Sequence, residues 1–110
     1  MITADRIYDA YQGMTTAIEE MASIVETLTD LKNKRAVELA QKVEAGLYAD
    51  CKNEDQRKAA AAYHFQATDA IIKSVEIAER AARVKLDLAQ NDISMVNALL
   101  KLYALQPREN

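Results

Sequence analysis

The sequence predicts an all-α chain: two long helices folded as an antiparallel, coiled-coil-like hairpin that assembles into a helical bundle as a homo-oligomer. Three observations predict it. Helix breakers are nearly missing, with two Gly and one Pro in 110 residues, while Ala, Leu, Glu, Lys, Ile, Gln and Met are the working vocabulary; these residues lose least on entering a helix. Apolar residues recur at steps of three and four over most of the chain, the period of a coiled-coil seam. One short interruption, at residues 49–53, splits that pattern in two. A chain of this length holds a single domain, residues 1–110.

The first helix is expected over about residues 4–48. Thr3 is a good N-cap, and Asp5 suits the positive end of the helix dipole. Ile7, Met14, Met21 and Leu28 repeat every seven residues, and Tyr11, Ile18 and Val25 fill the interleaved positions four residues on. The beat falters at "KNKR", residues 32–35, where Lys32 and Arg35 fall on the seam, and resumes as Leu39, Val43 and Leu47. Such a shift reads as a stutter that relaxes supercoiling, not as a loop. Gly46 weakens the helix, and the end is expected near Tyr48.

After the turn at 49–53, Asn53 offers an N-cap with Gln56 at the N3 position of a capping box, and Glu54 and Asp55 make an acidic first turn. The second helix is expected over about 54–105. Thr68-Asp69 can restart a helix, so a kink near residue 68 fits. Its seam runs Ile71, Val75, Ala78, Ala82, Leu86, Ala89, Ile93, Val96, Leu100 and Tyr103, a heptad with one extra step of four. Ile24, Leu31, Ile72, Ile77, Val84, Leu88, Leu99 and Leu102 lie off both seams. Two helices bury little by themselves, and a second apolar strip asks for a second partner. The expected partner is the chain itself, as a homodimer or higher, most simply two hairpins in a four-helix bundle.

Charge narrows the partners further. The net charge is −3 and the pI about 5.1, whereas a nucleic-acid binder shows a basic excess that displaces counterions; nucleic acid is not the expected partner. Residues 1–31 carry six acids and one base, and residues 32–42 carry four bases and one acid. Lys32, Lys34 and Arg35, with Arg57 and Lys58 near the turn, form the candidate contact set for a partner or a nucleic acid. A single Cys fits a reducing compartment. "MITADRIYDA" lacks the apolar core of a signal peptide, and no run reaches the roughly 18 apolar residues of a membrane span. A soluble, cytoplasmic protein without a membrane partner is expected.

No reactive constellation emerges. Cys51 and His64 are the only soft ligands, short of the four a structural zinc needs. A Cys-His nucleophile needs a pocket and an orienting third group, which a hairpin tip does not offer. Ala61, not Glu, stands three residues before His64, against a di-metal carboxylate site. No catalytic, metal or cofactor site is expected, and the chain is not expected to be an enzyme.

Two stretches, "KNEDQRK" at residues 52–58 followed by Ala59, and "EIAERAARVKLDLA" at residues 76–89, resemble small helical-hairpin accessory proteins of tailed phages and prophages. These have a first helix, a turn of the form K-N-E-x-x-R-K-A, and a long second helix rich in Ala, Glu, Arg and Leu. The resemblance covers about residues 50–105 and departs at "AYHFQATDAIIKSV", residues 62–75, where the group is more charged. It implies an accessory factor carried near replication and recombination functions, working in the host cytoplasm, and transfers no catalytic residue. The expected function is a non-enzymatic helical protein–protein interaction module acting on a host or phage protein. The alternatives are a nucleic-acid-associated replication or recombination accessory using the basic residues, or an inhibitor of a host nuclease or defence protein that presents acidic residues 5–30.

Overall fold

The computed structural model describes residues 2–105. They form three helices, α1 (Ala4–Glu44), α2 (Glu54–His64) and α3 (Gln66–Leu105), with no strand among the described residues. The described residues are all-helical in class, with two long helices and one short one; Pro107 lies outside them.

Each helix end has a local cause. The Arg6 N–H donates to Thr3 Oγ1 at 3.1 Å, so Thr3 caps α1. At the far end, Leu47 N–H donates to the Lys42 carbonyl and Gly46 N–H to the Val43 carbonyl, both at 3.1 Å. With Gly46 at φ +77°, this is a Schellman closure, in which the left-handed residue satisfies carbonyls the helix leaves open. Gly46 therefore terminates α1 at Glu44, and the expected end near Tyr48 is too late. Asn53 caps α2, its side chain accepting the Gln56 N–H at 2.8 Å. Gln56 reaches back in turn, but its Oε1 accepts the Lys52 N–H, at 2.7 Å, one residue before the position a standard capping box uses.

The break between α2 and α3 is one residue long and falls at Phe65 (φ −99°, ψ 18°), not near residue 68. Phe65 N–H donates to the Ala61 carbonyl at 2.9 Å, and Asp69 N–H donates to the Phe65 carbonyl at 2.7 Å. The helix breaks where the deeply buried Phe65 ring enters the core, while Thr68-Asp69 stays inside the first turn of α3.

The chain divides into two compact units, Met1–Ser23 with Glu79–Asn110, and Ile24–Ala78. In the first, Arg6 pairs with Asp92, and Glu20 with Lys85 at 3.2 Å, so the α1 and α3 segments run antiparallel. Ala10, Ala17, Ala82 and Val96 are buried between them. Alanines seven apart on a helix let its neighbour approach closely, because interaxial distance follows the side chains at the contact. In the second unit Leu28 and Ile72 are buried, and Tyr48, Ala61 and Phe65 form a cluster against which Leu39, Cys51 and Ala60 pack.

The inward rows differ from the expected seams by one position in places. Ile7, Met14, Met21 and Leu28 face inward, but the row interleaved with them is Ala10, Ala17, Ile24 and Leu31. Tyr11, Ile18 and Val25 are exposed, Tyr11 by 49%. On α3, Val75, Leu86, Ile93 and Val96 face inward; Ile72 replaces Ile71, and Leu100 and Tyr103 are exposed. Glu79, rather than Ala78, occupies the inward place between Val75 and Ala82, and it pairs with Arg83 at 3.1 Å. The heptad therefore runs without the extra step of four. Nor does it stutter on α1, where Arg35, Glu38 and Lys42 continue it as half-buried residues.

Candidate functional site

Of the five basic residues singled out in the sequence, Arg35 is committed within its own unit. Its Nε donates to Asp69 Oδ1 at 2.5 Å and a terminal nitrogen donates to Oδ2 at 3.2 Å, a two-pronged bond. The same guanidinium lies over the Phe65 ring at 4.7 Å, with the Lys42 ammonium 6.0 Å from the ring centre. The hydrogen bond, then the nearby positive charge, holds the Asp69 carboxyl below the usual carboxylate range, and Arg35 is shifted up in return. Arg35 is a positioning cation for the Phe65 core, not a free contact for a partner.

Lys32 and Lys34 are exposed, but residues two apart on a helix point roughly 200° apart, so they present no common face. Arg57 and Lys58 stand at the start of α2 and line a largely apolar cavity of about 210 Å³ with Leu39, Val43, Tyr48 and Ala61. Lys58 also pairs with Glu54 at 3.7 Å. The structure thus brings Arg57 and Lys58 together, and neither Lys32 nor Lys34 lines that cavity. The Tyr48 hydroxyl is buried there without a hydrogen-bond partner among the described residues. Cys51 is half-buried against the Tyr48 cluster, and His64 is exposed with its ring edge-on to Phe65 at 5.6 Å. They line different cavities. Among the described residues, no group of three or more His, Cys, Asp or Glu could hold a metal ion, and no helix is long and apolar enough to cross a membrane.

What the structure does present is apolar surface in ordered rows. In the second unit Val25, Val37, Val43, Ile71 and Ile77 are exposed. In the first, Tyr8, Tyr11 and Ile18 are exposed on α1, and Val84, Leu88, Met95, Leu102 and Leu105 on α3. The α3 set belongs to a regular outer row, Ala81, Val84, Leu88, Asn91, Met95, Ala98, Leu102 and Leu105, at strictly alternating steps of three and four. Every member is exposed. The row lies roughly 150° around the helix from the inner one of Ala82, Leu86, Ala89, Ile93 and Val96. Arg80, Asp87, Ser94 and Lys101 border it on one side, and Lys85, Asp92 and Leu99 on the other.

Asp92 and Lys85 are fastened by Arg6 and Glu20. The hydrogen bond with Arg6, then its charge, holds the Asp92 carboxyl below the usual range. The sequence marks Ile77, Val84, Leu88 and Leu102 as part of a second apolar strip, but without a register. The signal that orders them is a second heptad, readable once counting starts from Ala81 instead of Ala82.

The chain matches no known family model, no curated protein and no solved structure.

Proposed function

We propose that the chain is a non-enzymatic helical protein–protein interaction module whose antiparallel hairpins self-associate into a helical bundle. The observation that carries this reading is the ordered exposure of large apolar side chains, with Leu88 62% and Leu102 60% exposed on one row. Scattered surface apolar residues are normal, but a contiguous, periodic row on a long helix marks a surface that another helix covers. The turn "KNEDQRK", with its Asn53 cap, and the helix "EIAERAARVKLDLA" support the role of a phage or prophage accessory factor that acts on a host or phage protein in the host cytoplasm. The nucleic-acid alternative draws less support, because Arg35 is engaged by Asp69 and Phe65. Sedimentation equilibrium across the micromolar range tests the reading. An oligomer that dissociates on dilution is expected, and a monomer at every concentration ends it.

A further inference from the structure

We infer that the outer row of α3 within the first unit is the surface on which a second copy of this chain docks, with the two α3 helices antiparallel and their two-fold axis level with Ile93. The inference rests on the self-association just proposed and assigns it a face, an orientation and a register. In heptad terms Ala81, Leu88, Met95 and Leu102 take one seam position, and Val84, Asn91, Ala98 and Leu105 take the other. The row faces away from the buried one, so a second helix can lie along it without displacing α1.

The flanking charges choose the orientation. In a parallel pair each residue before the first seam position meets the residue five further on in its partner. Arg80 then meets Lys85 and Asp87 meets Asp92, so like charges meet at both places. In an antiparallel pair the Arg80–Asp87–Ser94–Lys101 edges meet each other, and so do the Lys85–Asp92–Leu99 edges, where the two Asp92 carboxylates fall across the axis, each paired with Arg6 of its own chain. With the axis level with Ile93, Asp87 meets Lys101 of the second copy, and the symmetry repeats the contact.

Register follows from the same residues. Sliding by one layer sets Arg80 against Lys101 of the second copy, and sliding by two sets Asp87 against Asp87. Larger shifts in that direction leave Leu102 and Leu105 with no facing residue in α3, and sliding one layer the other way leaves Ala81 and Val84 with none. In the assigned register Leu88 faces Ala98 and Leu105 faces Ala81 of the second copy, large against small, while Val84 faces Leu102 and Asn91 faces Met95. The two Asn91 side chains fall in adjacent layers across the axis. A single polar seam residue of this kind costs stability and fixes register.

The test uses the full chain with Cys51→Ser and one nitroxide label, placed at Ser94→Cys or at Ala104→Cys. Antiparallel pairing about Ile93 separates the two labels along the axis by roughly 3 Å at residue 94 and roughly 33 Å at residue 104, from 1.5 Å of rise per residue; parallel pairing makes the two separations equal. Leu88→Glu is expected to abolish the dimer with the helical circular dichroism unchanged, since Leu88 is exposed in the single chain. Asp87→Lys is expected to weaken association at least tenfold, and adding Lys101→Glu to restore it. A dimer that survives Leu88→Glu, or labels that report equal separations, overturns this inference and leaves the interaction module standing. A wild-type monomer ends both.

Discussion

Replacing Phe65 with Ala tests the core of the second unit most sharply. Phe65 is 2% exposed and is the most deeply buried member of the cluster with Tyr48 and Ala61. A buried Phe removes about 150–250 Å² from water, which at about 25 cal/mol/Å² is about 4–6 kcal/mol. Compactness of the unfolded chain trims this by about 10–40%, leaving about 2–5 kcal/mol, in line with the roughly 3–5 kcal/mol seen for Phe→Ala in cores. The ring is also the platform under Arg35, so its loss frees the guanidinium that Asp69 now holds in place. Against a total stability of about 5–15 kcal/mol, that is a large share. Urea unfolding followed by circular dichroism measures it, with hydrogen exchange locating the loss in residues 24–78. Tyr63→Ala is the internal control: Tyr63 is 82% exposed two residues away, and its loss should change stability by less than about 0.5 kcal/mol. A Phe65→Ala cost below about 1.5 kcal/mol, or one equal to that of Tyr63→Ala, would refute the packing described for Phe65.

The two glycines predict opposite signs for one substitution. Gly13→Ala sits in open space inside α1 and should raise stability by about 0.5–1 kcal/mol, whereas Gly46→Ala, at φ +77°, should lower it by about 1 kcal/mol or more; thermal melts of the two variants decide. Asn53→Ala removes the α2 cap and should cost about 1 kcal/mol, read in the same assay. Asp69 and Asp92 both have lowered carboxyl pKa values when folded, each through its arginine hydrogen bond. Their stabilising contribution is therefore complete above the unfolded value near 3.9 and is lost as pH falls through the lower folded value. Wild-type melting temperature should fall on acidification below about pH 4, and Asp69→Asn with Asp92→Asn should start lower and fall less over that window; equal slopes in the two proteins would contradict the assignment.

The helical class was legible because it rests on composition and period, which no tertiary contact overrides in a chain with two Gly and one Pro. The phase of the seam was not. On α1 the row Ile7, Met14, Met21, Leu28 can be completed by Tyr11, Ile18 and Val25 or by Ala10, Ala17 and Ile24. Hydrophobicity favours the first set, and close approach of two helices favours the second. On α3 a charged residue, Glu79, holds an inward place, so choosing apolar residues throughout moves the row to Ala78 and then to Ile71. Gly46 was visible as a weak point, but its role as terminator depends on a positive φ and on two hydrogen bonds, which spacing does not record. The pairing of Arg35 with Asp69 joins residues 34 apart, and nothing local in "KNKR" marks which of its cations turns inward.

The distribution of side-chain size between rows bears on what the chain is built to do. In the first unit the inner rows are thinned with alanine, at Ala10, Ala17, Ala82 and Ala89, while the outer row of α3 keeps Val84, Leu88, Met95 and Leu102. A chain shaped only to fold alone gains more by burying its larger side chains and exposing its small ones, since the gain scales with apolar area removed from water. Here intramolecular packing uses small residues for close approach, and larger apolar area is left on the far side of the same helix. Folding and association then draw on different residues of α3. Leu88→Glu therefore reaches the surface without reaching the core, and its effect on assembly can be read without the confusion of unfolding.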